Sequence, residues 1–249
     1  MKMIEKLRAR LGRESFQPTI FNLVASPDYI IRRGLYLAIK DLASQISGNV
    51  LDFGCGSKPY QSLFSKATSY LGVDLDATGH NHSDSKIDVF YDGKVLPFPD
   101  GQFDAVVSFE VFEHVFNLPD VLMEINRVTR DSGDLLISLP FAWLEHETPY
   151  DFARYTSFGI THILSEAGYE VIQLRKTTTY LLTVFQMSIA YLTQTIRLPW
   201  VLRPLRQLCI IFPFTLAAYA LNAVLPKRYE YFCNTVVLAR KVSSQPIRK

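Results

Sequence analysis

Four short apolar segments within the first 140 residues constrain the fold of this chain more than any other feature. They read NVLDF, SYLGVDLD, FDAVVSFEV and GDLLISLP, and all are rich in Val, Leu and Ile. The hydrophobicity of each segment is continuous rather than alternating, which is typical of strands that are covered on both faces. The segments between them are long enough to cross over as helices. The sequence therefore predicts an α/β fold built on a mostly parallel sheet.

Apolar residues at helical spacing accompany these strands. Residues 26–48 predict a helix that leads into the first strand, with Ser26 as its cap. Residues 118–133 predict the crossover helix before the fourth strand, and residues 156–176 predict a further helix and strand. A last strand is expected over residues 231–241.

Composition and charge narrow the classes of function. The 249 residues carry 26 Lys and Arg against 24 Asp and Glu, so the net charge of +2 gives no support to a broad basic face for nucleic acid. The three cysteines form no CxxC pair and the histidines are not clustered in sequence, so neither a disulfide framework nor a metal site is predicted. The N-terminus is basic but has no apolar run of signal-peptide length. We therefore expect a cytoplasmic protein.

A glycine-rich loop follows the first predicted strand, in the stretch GNVLDFGCGSKPY. Ligands of open parallel sheets lie beyond the carboxyl ends of the strands, and glycines at Gly54 and Gly56 allow the backbone to approach a bound molecule closely. Asp74 comes 20 residues after Gly54, a spacing at which a carboxylate can accept hydrogen bonds from ribose hydroxyls. Pro59 occupies the third position of the dinucleotide pattern, which disfavours a pyrophosphate site. A nucleoside ligand is indicated, and a simple tight turn remains the alternative.

Further segments extend this pattern. VLDFGCG, YLGVDLD, LPFPDGQFDAVVSFEVFEHV and EINRVTRDSGDLLISLP occur in this order between Val50 and Tyr169. Together with the final strand, they resemble the class I S-adenosylmethionine-dependent methyltransferases. The resemblance implies a Rossmann-like, doubly wound sheet and S-adenosylmethionine as the cofactor. The cofactor carries a sulfonium and an ammonium but no phosphate, which carboxylates suit better than lysines do.

The same resemblance implies the cofactor-binding residues. Asp52, Gly54 and Gly56 would surround the methionine moiety, and Asp74 would bind the ribose. Asp92 matches the position that meets adenine, with Asp88 as the alternative. The full expected set is Asp52, Gly54, Cys55, Gly56, Asp74, Asp92, Gly93 and Glu110.

A second loop follows the fourth apolar segment and contains the order HxxPxDxxRYT, from His146 to Thr156. This order looks like a loop of methyltransferases from bacterial surface-polysaccharide pathways. The expected catalytic set is His146, Asp151, Arg154 and Tyr155, with His146 deprotonating an acceptor hydroxyl and the Asp and Arg orienting the acceptor. In the alternative interpretation Asp151 and Arg154 form a salt bridge that pins the loop, Tyr155 packs, and Thr156 caps the next helix. His114 is interpreted as a residue at the start of a helix.

An insertion at residues 177–228 separates the last two predicted strands. It contains two uncharged stretches of 20 residues, 177–196 and 207–226, the second broken by Pro213. We expect this segment to contact a membrane surface as a shallow or re-entrant hairpin, with Trp200 and neighbouring arginines at the headgroups. A helical lid and a dimer interface are the alternatives. An amphipathic N-terminus is a second candidate for membrane contact.

These observations give a domain division and a predicted function. The predicted segments are an N-terminal helical segment at 1–47, a methyltransferase core at 48–176, the apolar insertion at 177–228, the final strand of the core at 229–241 and a tail at 242–249. The predicted activity is methyl transfer from S-adenosylmethionine to a small or lipid-linked acceptor, at oxygen, by a protein attached peripherally or monotopically to the inner face of the membrane. The alternative is a non-catalytic module that tethers a partner to the membrane. Nucleic acid is not an expected partner, and the sequence does not predict the oligomeric state.

Overall fold

A seven-stranded sheet forms the centre of the structure, a computed structural model that describes residues 16–75 and 85–242. The strand order is β3-β2-β1-β4-β5-β7-β6. The pairs β1–β2, β1–β4, β2–β3 and β4–β5 are parallel, which confirms the predicted mostly parallel sheet. The strands are β1 (Gly48–Phe53), β2 (Ala67–Leu75), β3 (Val89–Tyr91), β4 (Phe103–Phe109), β5 (Thr129–Pro140), β6 (Tyr169–Lys176) and β7 (Asn234–Lys241).

The described helices fall largely where the apolar spacing predicts them. They are α1 (Ile20–Ala25), α2 (Tyr29–Ala43), α3 (Leu118–Val128), α4 (Ser157–Glu166), α5 (Tyr180–Thr195), α6 (Arg203–Arg206) and α7 (Phe212–Val224). Short 3₁₀ turns lie at Gln61–Leu63, Phe112–His114 and Trp200–Leu202. The predicted amphipathic N-terminus and the tail from residue 243 onward lie outside the described residues.

The connection between β1 and β2 differs from the predicted crossover helix. Between β1 and β2 the described chain forms only the 3₁₀ turn Gln61–Leu63, because two glycines and Pro59 leave too short a run of good helix formers. The strand β3 was not predicted, since three residues are too few for a recognisable pattern. The helix predicted over residues 118–133 is shorter than expected: α3 ends at Val128, and β5 begins at the next residue. The residues up to Gly133 belong to the first part of β5, where the pairing with β4 shifts register.

The chain divides into two units that are described separately. Among the described residues, the sheet unit comprises 39–75, 85–175 and 235–242, and the helical unit comprises 16–38 and 176–234. The core of the sheet unit contains buried residues of β1, β4 and β5 together with the inner face of α3, including Leu51, Val106, Leu122, Leu135 and Ile137. Since every parallel strand runs in the same direction, the carboxyl ends of β1 to β5 meet at one edge of the sheet.

The helical unit confirms an apolar helical insertion before the last strand. Ile30, Leu182, Ile189, Ile211 and Ala218 form its buried core. Four polar residues of the first uncharged stretch are buried, namely Thr178, Thr179, Thr183 and Gln186. The side chain of Gln186 accepts a hydrogen bond from the Ile31 amide at 3.2 Å and donates to the Pro27 carbonyl at 3.1 Å, and Thr183 donates to the Thr179 carbonyl at 2.9 Å.

The prediction that Pro213 breaks the second stretch is wrong. The chain from Arg203 to Val224 is one continuous helical segment of 22 residues. A π-helical turn at Gln207–Ile211 immediately precedes the proline, and the Phe212 amide donates to the Gln207 carbonyl. Because Pro213 has no amide hydrogen and its ring crowds the preceding turn, this wider turn lets the helix pass the proline without breaking.

The Arg203–Val224 segment is long and apolar enough to cross a membrane. The most apolar 18 residues of this segment have a mean hydropathy of 1.6, and 22% of them are buried. Several of its large apolar side chains are exposed, among them Leu205, Leu208, Leu216 and Val224. Core helices of soluble proteins can be equally long and apolar, so length and composition do not by themselves assign a membrane span.

Candidate active site

The glycine-rich loop lies at the carboxyl end of β1 and requires both of its glycines. Gly54 and Gly56 have φ of +68° and +46°, values that side chains other than glycine rarely adopt. A Cβ added at Gly54 would lie 2.6 Å from a methyl group of Val111, so this part of the loop also packs too closely for a side chain. A Cβ at Gly56 would meet nothing within 4 Å, so the loop borders open space there. The backbone of this loop is therefore accessible to a ligand.

Asp74 is held by two backbone amides at the carboxyl end of β2. The Gly56 amide donates to Asp74 Oδ2 at 2.9 Å, and the Leu75 amide donates to Oδ1 at 2.8 Å. Each carboxylate oxygen can accept a second hydrogen bond, so the two oxygens together retain the capacity to bind a pair of ribose hydroxyls. The loop and the carboxylate are thus fixed to each other, which fits the nucleoside portion of S-adenosylmethionine.

Asp52 is a buried carboxyl group near the end of β1. The Tyr70 hydroxyl donates to its Oδ2 at 2.7 Å. Burial raises the pKa of Asp52 to about 7, and the negative charges of Asp74 and Asp88 act in the same direction, whereas the Tyr70 hydrogen bond and the charge of Lys58 oppose the rise. This carboxyl group is therefore able to change its charge near neutral pH.

Of the two aspartates proposed to meet adenine, Asp88 is already engaged by protein groups. Lys58 Nζ forms an ion pair with its carboxylate, and the Gly72 amide donates to the same oxygen at 2.6 Å. Burial works to raise the pKa of Asp88, but these two donors outweigh it and the net pKa is lowered. Asp92 is exposed directly after β3, and its Oδ1 accepts from the Lys94 amide at 3.0 Å. Asp92 is accordingly the better candidate for adenine.

The remaining expected cofactor residues lie at the same edge of the sheet. Gly93 has φ of +82°, and a Cβ there would lie 3.1 Å from the side chain of Leu75. Cys55 is buried, and burial raises the pKa of its thiol. Glu110, after β4, has φ of +55° and is held by Ser138. The Ser138 hydroxyl donates to Glu110 Oε1 at 2.7 Å, and the Glu110 amide donates to the Ser138 carbonyl and hydroxyl oxygens, each at 3.1 Å. Because the side chain of Cys55 is buried, this residue can offer only its backbone groups to a ligand unless the loop rearranges.

The second loop is held by an ion pair between Asp151 and Arg154. Arg154 donates through two nitrogens to the two carboxylate oxygens of Asp151, and also to the Leu144 carbonyl at 3.1 Å. The His146 amide donates to Asp151 Oδ2 at 3.0 Å. The Arg154 bonds hold the pKa of Asp151 far below its usual range, although burial opposes them. This geometry supports a positioning role for both residues, because their charged groups point at each other and at the loop.

Tyr155 and Thr156 end this loop. Tyr155 is partly buried and packs against the core of the sheet unit, and burial raises the pKa of its hydroxyl. Thr156 caps α4, as the alternative interpretation predicts, by accepting from the Gly159 amide at 3.0 Å. The ring of His146 lies within 4 Å of two carboxylates, with Nε2 3.8 Å from Glu113 Oε1 and Nδ1 3.3 Å from Asp151 Oδ2.

Glu113, His114 and His146 form a cluster that the sequence did not predict. Glu113 Oε1 lies 3.7 Å from His114 Nε2 and 3.8 Å from His146 Nε2, and the two imidazole rings are 4.8 Å apart. His114 belongs to the 3₁₀ turn Phe112–His114. Burial, followed by the charge of Glu110, raises the pKa of Glu113 well above its usual range. The cluster joins the loop after β4 to the loop after β5, and it forms because those two strands are neighbours in the sheet.

A cavity of about 500 Å³ lies elsewhere in the sheet unit. It is lined by residues that begin β1, β2 and β4, including Asn49, Ser69 and Phe103. These residues are at the amino edge of the parallel strands, opposite the glycine loop. Since ligands of parallel α/β sheets bind at the carboxyl edge, we do not assign the cavity to the active site.

Comparisons with known proteins agree with the geometry of this edge. A sequence model of the methyltransferase domain family matches residues 28–174, more than half of the chain. A probable S-adenosylmethionine-dependent methyltransferase of Mycolicibacterium smegmatis is 28% identical over 160 residues, which cover 59% of this chain and 62% of the relative. A fatty-acid O-methyltransferase of the same organism is 36% identical over 97 residues, 35% of each chain. The chain thus spans less than two thirds of either relative.

Solved structures show the same fold. A SAM-dependent methyltransferase from Archaeoglobus fulgidus aligns with 94% of this chain and 99% of its own, with a TM-score of 0.53 and 16% identity. At that identity the likeness concerns the fold, and the residues of the site must be judged by their own chemistry.

Proposed function

Because this chain belongs to the family of S-adenosylmethionine-dependent methyltransferases, we propose that it transfers the methyl group of S-adenosylmethionine to an oxygen atom of a small or lipid-linked acceptor. The observation that carries the proposal is the glycine loop fixed to Asp74 by the Gly56 amide at 2.9 Å. The cofactor supplies a methyl group already activated by the sulfonium to which it is attached. What remains for the protein is to bind, to orient and to exclude water.

In this proposal the cofactor lies along the carboxyl ends of β1, β2 and β3. Asp74 accepts hydrogen bonds from the ribose hydroxyls. Asp92 and Gly93 lie beside the adenine. The methionine moiety lies beside the backbone of Gly54, Cys55 and Gly56. The Asp52 and Glu110 carboxyl groups, at the ends of β1 and β4, provide negative charge for a cationic ligand. Binding such a ligand favours the ionised form of Asp52, whose pKa of about 7 leaves it partly protonated at neutral pH.

The acceptor would then lie at the ends of β4 and β5, beside Glu113, His114 and His146. An imidazole and a carboxyl group within 4 Å of each other suit the removal of a proton from a hydroxyl group. His146 is the proposed base, and Asp151 and Arg154 hold its loop in place. The fatty-acid O-methyltransferase among the relatives is consistent with an oxygen acceptor.

A lipid-linked acceptor would suit the helical unit. Exposed Leu205, Leu208, Leu216 and Val224 give the insertion an apolar surface, and each large apolar side chain contributes about 1.5–3 kcal/mol when it is fully buried. We infer peripheral or monotopic attachment at the inner face of the membrane, with the protein in the cytoplasm. A lid or a dimer interface would use the same surface and makes a different prediction, namely a protein that does not bind lipid.

Calorimetry on the purified full chain tests the proposal. We expect S-adenosylmethionine and its demethylated product to bind, and Asp74→Ala to weaken binding by about 1–3 kcal/mol through lost hydrogen bonds to the ribose. Asp120→Ala, which removes an exposed carboxylate on α3, serves as the matched control and should bind normally. Absence of binding at millimolar cofactor would refute the proposal.

The non-catalytic alternative requires a separate measurement. A tethering module would bind its partner but would transfer no methyl group. Mass spectrometry of lipid and glycan extracts from wild-type and deletion cells should show one species that loses 14 Da, the mass of a CH₂ group, in the deletion strain. Extracts of identical composition from the two strains would favour the tethering module.

A further inference from the structure

The carboxylate of Glu113 lacks any hydrogen-bond donor among residues 16–75 and 85–242. The side chain is completely buried, and both Oε1 and Oε2 are without a hydrogen-bond partner. Taking a carboxylate out of water without compensation costs several kcal/mol, so buried carboxylates carry a proton, pair with a cation or bind a metal ion. The surroundings of Glu113 therefore decide what balances its charge.

The Nε2 atoms of His114 and His146 face this carboxylate, and contacts of each ring's other nitrogen, Nδ1, fix the orientation of the rings. His114 Nδ1 lies 2.8 Å from the Tyr150 carbonyl, and His146 Nδ1 lies 3.2 Å from the Leu144 carbonyl and 3.3 Å from Asp151 Oδ2. Carbonyl oxygens only accept hydrogen bonds, so each Nδ1 must be the protonated nitrogen. In the neutral rings, both Nε2 lone pairs then point into the space beside Glu113.

We propose that Glu113, His114 and His146 bind a divalent transition-metal ion. One atom from each residue lies within 4.8 Å of the others. Metal–ligand bonds of about 2.0–2.2 Å require ligand atoms about 3.0–3.5 Å apart. The two Glu113–histidine separations, 3.7 and 3.8 Å, exceed that range by only a few tenths of an ångström. Small side-chain movements would close the site around an ion.

The chemistry of the three ligands indicates the kind of ion. Two imidazoles and one carboxylate form a set that zinc and other first-row transition metals bind, whereas magnesium prefers oxygen ligands and retains its waters. Glu147 Oε2 lies 3.5 Å from His114 Nε2 and is in range to become a fourth ligand. The Nδ1 contacts to carbonyl and carboxylate oxygens match the outer hydrogen bonds that usually orient metal-binding histidines.

A metal ion beside Glu113 would give the Asp151–Arg154 ion pair a defined role. Asp151 holds the amide of His146 at 3.0 Å and faces its Nδ1, and Arg154 fixes Asp151. The pair would therefore orient a metal ligand from the side opposite the ion. Both are positioning residues in this scheme.

An ion at this position would deepen the proposed methyl transfer, and this part of the inference rests on it. A bound divalent ion would attract the oxygen of an acceptor hydroxyl and lower the pKa of that hydroxyl, so that its proton would pass to solvent water. The oxygen would then form a bond to the methyl carbon while the carbon–sulfur bond of the sulfonium breaks, and the demethylated cofactor would leave as a neutral thioether. The acceptor class is then a compound with a hydroxyl group accessible to a metal. His146 would act as a ligand rather than as the general base.

Metal binding can be measured without any acceptor. The 249-residue chain is freed of metal with a chelator, and Zn²⁺ and Mn²⁺ are titrated separately by calorimetry, with Mn²⁺ binding also followed by electron paramagnetic resonance. We expect one ion per chain with micromolar or tighter affinity, and an increase in Tm on binding. Glu113→Gln, His114→Ala and His146→Ala should each weaken binding by at least 10-fold. The matched control is His162→Ala, on the exposed face of α4, which should bind as the wild type does.

The readouts separate this inference from the proposed function. The metal-site variants should retain binding of S-adenosylmethionine, which also shows that they are folded, and Glu113→Asp provides a milder variant if Glu113→Gln does not fold. Failure of folded wild-type protein to bind either ion at millimolar concentration would overturn the metal site while leaving the methyltransferase proposal intact. Binding that is unaffected by all three substitutions would also overturn it. Methyl transfer that is unchanged by chelation would remove the catalytic part.

Discussion

Asp52→Asn should change how the stability of the protein depends on pH. Burial raises the pKa of Asp52 in the folded protein from 3.8 to about 7, so the folded state resists ionisation that the unfolded chain accepts. A carboxyl group with a raised folded-state pKa contributes its full stability below pH 4, and that contribution is lost as pH rises towards 7. An asparagine has no charge to acquire and carries no such loss.

The size of the effect follows from the two pKa values. Each pKa unit corresponds to 1.36 kcal/mol, so complete ionisation costs the folded state about 4 kcal/mol relative to the unfolded chain. Part of that cost is already present at pH 5, because the unfolded carboxyl is ionised there. Between pH 5 and pH 8.5 the stability of the Asn variant relative to the wild type should therefore rise by about 2–3 kcal/mol.

The assay is urea unfolding of both proteins at several pH values, followed by circular dichroism. The substitution by an amide has its own effect on the free energy of unfolding, and that effect is the same at every pH. The change with pH in the difference between the variant and the wild type therefore reports only the charge of Asp52. Tyr70 supplies an internal control, because its hydroxyl donates to Asp52 at 2.7 Å and favours the ionised form. Tyr70→Phe should cost more stability as pH rises in the wild-type background and a constant amount in the Asn background.

Two results would refute this reasoning. If the difference between Asp52→Asn and wild type is the same at pH 5 and pH 8.5, the carboxyl ionises normally and its burial has no electrostatic consequence. If the difference falls with pH, the charge is stabilising, and a cation within the folded protein must be compensating it.

Two further predictions concern other parts of the chain. Thr156→Ala removes the side chain that caps α4 and should cost about 1 kcal/mol in urea unfolding with an unchanged m value, whereas Thr156→Ser should cost little; equal losses in the two variants would argue against the cap. Replacing Leu205, Leu208 and Leu216 together by Gln should lower the fraction of protein that co-sediments with vesicles of anionic lipid. The control is Met123→Gln, at an exposed apolar position on α3, which should leave that fraction unchanged. If the wild-type protein itself stays in the supernatant, the exposed leucines of the insertion serve as a lid or a dimer interface.

The parts of the fold that depend on local sequence were predictable. The buried parallel strands, the helices around them and the apolar insertion follow from hydrophobic spacing, which acts over a few residues. The strand β3 was missed because Val89–Tyr91 owes its pairing to β2 rather than to its own pattern. The effect of Pro213 was wrongly predicted because a π-helical turn, which has no sequence signature at this level, accommodates the ring.

The candidate site divides in the same way. Gly54, Gly56 and Asp74 can be recognised from a loop and a spacing, and the Asp151–Arg154 pair from a separation of three residues. The meeting of Glu113 with His146 could not be recognised, because the two are 33 positions apart and come together only when β4 and β5 lie side by side. Hydrogen bonds such as Gly56 to Asp74 likewise depend on the register of β1 against β2.

The hydrogen bonds of Gln186 have a consequence for how the protein is synthesised. The side chain bonds to Pro27 and Ile31, which leave the ribosome about 155 residues earlier. At a translation rate of about 5–20 residues per second, Gln186 is synthesised roughly 8–30 s after the start of α2. During that interval Ile30 has no Leu182 or Ile189 to cover it, although the central strands of the sheet unit have already been made. The helical unit is therefore completed late in translation, and until then the apolar side chains at the start of α2 lack the partners that cover them in the folded chain.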